Sequence, residues 1–247
     1  RQGRRVRLLE RDHHPRFHIG ESLLPANVRL LEDLGVRERI ERIGMPKWGI
    51  EFVSPRHTHH SFFEFAGAWD RSMPMAWQVR RSAFDEILFH RAAEVGVQLN
   101  EGCRVARVEF DAEGATAHVS ERAAAGEREF SLRARYVVDA SGRDTLLANQ
   151  FGLKRRNPKH NSAAIFGHFR AAERLPGREE GHISIFWFPH GWFWFIPLAD
   201  GTTSIGAVCW PYYLKSRNKP LGEFFADTLA KAPALQARLR SAELVDE

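Results

Sequence analysis

The stretch Gly191-Trp192-Phe193-Trp194-Phe195-Ile196-Pro197 constrains the fold more than any other part of the chain. Read as a strand, it points Trp192, Trp194 and Ile196 to one face and Phe193 and Phe195 to the other, because side chains alternate along a pleated backbone. Both faces carry large apolar groups, so both must be covered, and the strand belongs to a sheet core. Its neighbours read as further strands at Ile165–Phe169, Ile183–Phe188 and Thr203–Val208. Two closing helices follow, with Phe224, Phe225, Leu229, Leu235 and Leu239 on their buried faces.

The first half has a different character. Arg5 to Glu10 reads as a short buried strand, and Ser22 to Leu34 as a helix with Pro25 in its first turn and Gly35 ending it. Ile50–Val53 and Phe62–Phe65 read as strands that join the second sheet. A second helix opens at Ser82, where Ser82 and Asp85 form a capping-box pattern, buries Phe84, Ile87, Leu88 and Ala92, and stops at Gly96. Strands at Arg104–Phe110, Thr116–Ser120, Glu129–Leu132 and Tyr136–Val138 follow, the first two joined by the turn Asp111-Ala112-Glu113-Gly114. The expected fold class is therefore α/β: cofactor-binding α/β parts beside a largely antiparallel, sheet-rich substrate domain with C-terminal helices. A chain of 247 residues accommodates both.

Composition narrows the function classes. The longest apolar stretch, residues 185–199, is broken by Pro189, His190, Gly191 and Pro197 and is too short to span a bilayer. No signal peptide opens the sequence, and a cytoplasmic location is expected. Cys103 and Cys209 are far apart, which argues against a disulfide framework or a zinc motif. The net charge of +5 comes from basic residues interleaved with acids, as in Arg37-Glu38-Arg39, so nucleic acid is not an expected partner. His57, His59 and His60 fall in a polar turn, and no metal site is expected there.

Several positions could carry chemistry. Glu10 ends a strand, where a carboxylate can bind an adenosine ribose, although such an acid is ordinarily a solvated surface group. Arg81 stands at a helix start, where a guanidinium can reach a pyrophosphate or simply face water. Asp139-Ala140-Ser141-Gly142 is a run of small residues that allows close backbone approach to a ligand, or an ordinary tight turn. Lys47 lies between Pro46 and Trp48; an amine with apolar neighbours can lose solvation and become nucleophilic, while a snorkelling surface lysine is the commoner case.

Taken together these segments resemble the flavin-dependent halogenases, within the hydroxylase-type FAD-dependent oxidoreductase superfamily. Arg7-Leu8-Leu9-Glu10-Arg11-Asp12 is similar to the superfamily's ribose-binding strand. Phe17-His18-Ile19-Gly20-Glu21-Ser22-Leu23-Leu24-Pro25 is similar to the family's segment beside the flavin ring. Arg81-x-x-Phe84-Asp85 and Asp139-Ala140-Ser141-Gly142 resemble flavin-binding stretches. Trp192-x-Trp194-x-Ile196-Pro197 matches the family's W-x-W-x-I-P signature, and Lys47 precedes Gly49-Ile50-Glu51-Phe52 as the family's catalytic lysine does.

The resemblance implies an FAD cofactor contacted by Glu10, Arg11, Gly20, Glu21, Ser22, Arg81, Val105, Asp139, Ala140, Ser141 and Gly142. It implies catalytic roles for Lys47, Trp192 and Trp194, and a tunnel that passes Ile196 and Pro197. The implied reaction uses reduced FAD from a separate reductase, oxygen and a halide such as chloride to form hypohalous acid, which halogenates an electron-rich aromatic or carrier-bound substrate. Antibiotic biosynthesis is the implied setting. The implied domains are 1–48 with 77–150 for FAD and 49–76 with 151–247 for substrate. The sequence contains no G-x-G-x-x-G, so the FAD fold is expected to be partial, with that loop and a C-terminal flavin and halide segment lying outside the sequence; the isolated chain is then expected to bind FAD poorly and to be inactive. A flavin monooxygenase or reductase of the same superfamily, or a catalytically incompetent fragment or binding module, are the alternative readings.

Overall fold

A computed structural model of the chain describes residues 3–123, 126–155, 157 and 161–245. In chain order the strands and helices of these described residues are β1 (Arg7–Leu9), α1 (Pro25–Asp33), α2 (Arg37–Ile43), β2 (Met45–Lys47), β3 (Gly49–Val53), β4 (Ser61–Glu64), β5 (Ala76–Gln78), α3 (Arg81–Glu94) and β6 (Gln98–Asn100). There follow β7 (Cys103–Asp111), β8 (Gly114–Ala123), β9 (Gly126–Ala134), α4 (Leu146–Gln150), β10 (Ala163–Arg170), β11 (Ile183–Phe188), β12 (Gly191–Pro197), β13 (Thr203–Cys209), α5 (Pro211–Lys215), α6 (Leu221–Leu229), α7 (Pro233–Arg238) and β14 (Glu243–Val245). The chain divides into two compact units, residues 1–16 with 88–158 and residues 17–87 with 159–247.

In the first unit β1 pairs in parallel with β6, and β7, β8 and β9 form an antiparallel meander. The expected turn at its tip is present: Asp111 Oδ1 accepts the N–H groups of Glu113 and Gly114. Cys103, Val108, Ala115, Ala117 and Val119 make the core, with Leu9, Val105, Phe130 and Val137 packed against it. Tyr136–Val138 is not a strand. No strand among the described residues pairs with it, and while Val137 packs inward, Tyr136 and Val138 are 82% and 87% exposed.

The second unit is built on a seven-stranded sheet of order β14-β10-β13-β12-β11-β3-β4. As expected, the strands near residues 50 and 62 join this sheet. It is antiparallel except where β3 runs parallel to β11. The aromatic strand β12 is central, and its two faces are covered by different means. Phe193 and Phe195 pack with Phe186, Ile205, Tyr213, Phe224, Phe225 and Leu235, the helix side of the sheet. Trp194 and Ile196 pack with Leu198, Ile19, Ile183, Ile185 and Trp192 on the other side. Among the described residues the chain closes with three short helices and an edge strand, not two helices, because Pro211 and Pro233 each open a new helical segment.

Two helix starts differ from the sequence reading. α1 begins at Pro25, not Ser22, because proline disfavours the helical conformation in the residue before it: Leu24 is extended at φ −115° and ψ 157°. Ser22 instead bridges Gln78. α3 opens at Arg81, with the Arg80 carbonyl accepting the Phe84 N–H, so Ser82 lies inside the first turn and Asp85 takes the Arg81 guanidinium. Its buried residue is Phe89, which stacks on His14; Phe84, Ile87 and Leu88 are half-buried.

Candidate active site

Lys47 ends β2, which pairs with β5 so that Lys47 faces Ala76. Three glycines and one glutamine close the structure around it. Gly181 brings a helical turn against β2, where any β-carbon would stand 1.8 Å from the Pro46 carbonyl oxygen. Gln78 Nε2 donates to the Gly181 carbonyl, 3.0 Å away. Gly49 allows the Phe63 carbonyl and the His182 ring to approach, and Gly44 does the same for the indole of Trp77. The result is a lysine only 1% exposed.

The amine meets neutral groups. Lys47 Nζ donates to Ser22 Oγ at 2.8 Å and to the Leu23 carbonyl at 2.9 Å, and lies 5.2 Å from the centre of the Phe65 ring. Burial disfavours the ammonium form and pushes the Lys47 pKa down to about 8. Near that pH the free amine is well populated, which an ordinary surface lysine does not offer.

The segment 17–23 crosses from this amine to the tryptophan face of the sheet. Phe17 stacks on Phe166, ring centres 5.7 Å apart, and Phe166 lies 6.1 Å from Trp194. Ile19 packs in the Trp194 cluster. Arg81 Nη1 donates to the Ile19 carbonyl at 2.9 Å, while its other nitrogens hold Asp85. Gly20 makes room for that guanidinium: at φ +108° its β-carbon would stand 2.9 Å from Arg81 Nη1. Glu21 is buried, and its Oε1 lies 2.7 Å from His168 Nε2.

Trp194 is buried and donates through Nε1 to Ser204 Oγ at 3.0 Å. Gly206 lets its ring lie flat on β13, since a β-carbon there would be 2.2 Å from Trp194 Cζ2. Trp192 is half-buried, and Ile196 and Pro197 are buried in the strand. Trp187 and Phe52, 49% and 39% exposed, extend this apolar face towards β3.

In the first unit, Glu10 follows β1; its Oε1 accepts the Asp12 N–H and its Oε2 lies 3.3 Å from Arg16. Arg11 pairs with Asp144 on the surface. Val105 packs against the meander core at a bulge in β7. Asp139 and Ser141 cap the short helix α4, accepting the N–H groups of Leu147 and Leu146. The hydrogen bond from the Ser141 hydroxyl is the largest effect holding the Asp139 carboxyl below its usual range. Ala140 and Gly142 are exposed, and a β-carbon on Gly142 would meet nothing within 4 Å.

His168, Ser204, Gly206 and Phe65 are read from the sequence only as parts of strands, with no role at the site, and no local pattern marks them. His60, read as part of a polar turn, meets a carboxylate: its Nδ1 lies 2.7 Å from Glu51 Oε1, on a buried carboxylate that Arg238 also holds through both oxygens at 2.9 Å. Among the described residues no cluster of His, Cys, Asp or Glu is arranged to hold a metal ion, and no helix is long and apolar enough to cross a membrane.

The sequence matches the profile of the FAD binding domain family over residues 1–238. It is 35% identical over 222 residues to the flavin-dependent halogenase armH2 of Armillaria mellea, covering 84% of this chain and 41% of that protein. It is 30% identical over 268 residues to a 1H-pyrrole-2-carbonyl-[peptidyl-carrier protein] chlorinase of Pseudomonas fluorescens, covering 98% of this chain and 59% of that protein. The structure of the myxobacterial chondrochloren halogenase CndH superposes with a TM-score of 0.84 at 30% identity, covering 99% of this chain and 56% of CndH. The chain thus spans about half the length of these relatives. It belongs to the FAD binding domain family, whose cofactor is FAD.

Proposed function

We propose that the protein is an FAD-dependent halogenase that uses reduced flavin, oxygen and a halide to halogenate an electron-rich aromatic substrate through hypohalous acid and Lys47. The observation that carries this reading is the Lys47 amine, buried against neutral acceptors with its pKa near 8, in a chain whose relatives are halogenases.

FAD, when bound and reduced, supplies the electrons by which oxygen and halide give hypohalous acid. Glu10 fits the ribose end: it follows a strand of a parallel pair, the edge where open α/β sheets take dinucleotides. The open backbone at Gly142 fits close approach of a ligand. Arg11, Val105, Asp139, Ala140 and Ser141 are proposed to line the same side. Gly20, together with Glu21, Ser22 and Arg81, the last three with side chains engaged within their own unit, would offer backbone to the flavin ring. Residues 1–48 with 77–150 would then serve FAD and 49–76 with 151–247 the substrate; this functional division need not coincide with the packing units.

Trp192 and Trp194 would keep the substrate apart from the flavin, and the apolar strand through Ile196 and Pro197 would keep water from the oxidant. At Lys47 two routes are open. The ammonium form can hydrogen-bond hypohalous acid and orient it. The free amine can instead attack the halogen, giving a haloamine and water, after which the aromatic carbon takes the halogen and the amine regains the proton that the ring loses. The second route needs an amine that loses its proton near neutral pH, which is what burial provides. The relative that acts on a carrier-bound pyrrole makes a carrier-bound substrate one candidate beside free phenols and indoles. A separate reductase would supply the reduced flavin.

The test uses the protein from its full reading frame with a flavin reductase, NADH, oxygen, chloride or bromide, and a panel of phenols, indoles and carrier-bound pyrroles. A halogen isotope pattern that disappears in Lys47→Ala while reduced flavin is still oxidised supports the reading. Hydroxylated products, or halogenation that survives Lys47→Ala, sinks it.

A further inference from the structure

The residue next to Ser22 presents an electrostatic problem. Glu21 is a carboxylate one residue away from the groups that hold the Lys47 amine, and a carboxylate beside an amine would fix it as ammonium. The backbone explains how this is avoided. Val79 N–H donates to the Glu21 carbonyl at 2.8 Å and Leu23 N–H to the Trp77 carbonyl at 3.0 Å, so residues 21–23 run as a short extended segment against β5. Side chains alternate along such a segment. Ser22 faces Lys47; Glu21 faces the sheet, where His168 on β10 meets it.

Both partners are about 2% exposed. The second oxygen, Glu21 Oε2, is buried with no hydrogen-bond partner among the described residues. Burying a carboxylate with one oxygen unsatisfied costs stability, and an apolar residue would pack at lower cost. The best-attested use of such a pair is to fix register, and here register matters. A slip of one residue would turn Ser22 to the sheet and bring the Glu21 carboxylate to the amine.

We propose that His168 is a positioning residue for Lys47: it sequesters the Glu21 carboxylate on the sheet side of the segment, so that the amine is met by the neutral Ser22 hydroxyl and Leu23 carbonyl. The other acids on elements packed near Lys47 are already placed elsewhere. Glu64 stands 3.6 Å from His182 Nε2, Glu180 pairs with Arg174 at 3.0 Å, and Glu179 acts on His182. Of the cations, Arg178 lies over the Trp48 ring, 4.2 Å from its centre. The inference deepens the halogenase reading, since it specifies how the amine is kept exchangeable.

The experiment reads the amine directly. The chain has six lysines, so protein labelled with carbon-13 at lysine Cε gives a small set of resonances, and Lys47→Met assigns the one of interest. His168→Leu releases the carboxylate; the Lys47 midpoint should rise by about 1–2 pH units from its value near 8, with the other lysines unmoved. The double variant His168→Leu/Glu21→Gln, which keeps the altered packing but removes the charge, should return the midpoint to the starting value. Glu21→Gln by itself should leave it there, because the amide oxygen still accepts from His168. A midpoint unchanged in His168→Leu, or one that stays high in the double variant, overturns the proposal and makes the pair a packing feature. If His168→Leu fails to fold, His168→Ala, which likewise lacks a donor, takes its place against His168→Ala/Glu21→Gln on the same criteria. The titration needs no substrate or flavin, so it can succeed while halogenation is absent; that result would count against the enzyme reading and for the positioning.

Discussion

Replacing Lys47 by methionine should change the pH dependence of stability in a direction fixed by the burial of the amine. The folded pKa of about 8 lies below the ordinary 10.5. Below both values the lysine is protonated folded and unfolded, and the folded state carries the full cost of a buried ammonium. Each pKa unit corresponds to about 1.4 kcal/mol, so the cost at pH 7 is on the order of 3 kcal/mol. Between about pH 8 and 10.5 the unfolded chain binds more protons than the folded one, so this destabilisation fades as pH rises, and above 10.5 it is gone. Methionine fills nearly the same space without the charge, although it leaves Ser22 Oγ and the Leu23 carbonyl without their donor, which costs about 1–3 kcal/mol at every pH.

The informative quantity is therefore the slope of the difference and not its offset. All seven tryptophans (Trp48, Trp69, Trp77, Trp187, Trp192, Trp194 and Trp210) lie in the unit that contains Lys47, so urea unfolding followed by tryptophan fluorescence reports on that unit. Measured from pH 7 to 10.5, the stability of Lys47→Met minus that of the parent should fall by about 3 kcal/mol; other titrating groups cancel in the subtraction. A difference that stays flat across this range would mean that Lys47 titrates as an ordinary lysine, and the argument for an exchangeable amine would fail with it.

Two further outcomes test the packing behind the site. Gly206→Ala drives a methyl group into the Trp194 ring and should destabilise that unit by about 1–3 kcal/mol in the same urea assay, whereas Gly222→Ala, with nothing within 4 Å, should be neutral or slightly stabilising; equal effects would refute the ring placement. Arg238→Met strips the fully buried Glu51 of its guanidinium and leaves it the His60 contact; the change should cost about 3 kcal/mol, with Arg238→Met/Glu51→Leu recovering most of the loss, and a cost below about 1 kcal/mol for the single change would mean that His60 or water compensates the charge.

The sequence makes some parts of this site readable and hides others for identifiable reasons. The alternation in Trp192–Ile196 reports which side chains share a face whatever lies beside the strand, and the sheet places Trp194 and Phe193 on opposite sides as that alternation requires. Leucine spacing, in contrast, extends the first helix back to Ser22, because periodicity carries no information on the φ and ψ that Pro25 forbids to Leu24. That error matters: a helical Ser22 could not pair with Gln78, and Lys47 would lose the acceptors it has. Tyr136–Val138 fails as a strand for a related reason, since apolar content describes a strand's surface and not the presence of a pairing partner.

The lysine itself shows how far local reading goes. Pro46 and Trp48 mark it as an amine with apolar neighbours, and the burial follows. What keeps the amine free of a counter-ion lies 26 and 121 residues away, in Glu21 and His168, and neither carries a local signal. His168 sits among Phe166, Phe169 and Arg170 and is read only as part of a strand, and Glu21 is read only as a flavin contact implied by resemblance. Their meaning arises when β10 and the 17–23 segment are stacked, which sets one carboxylate against an imidazole and its neighbour's hydroxyl against an amine. A site of this kind is specified by register: each residue type is ordinary, and the chemistry depends on which side of an extended segment each one faces.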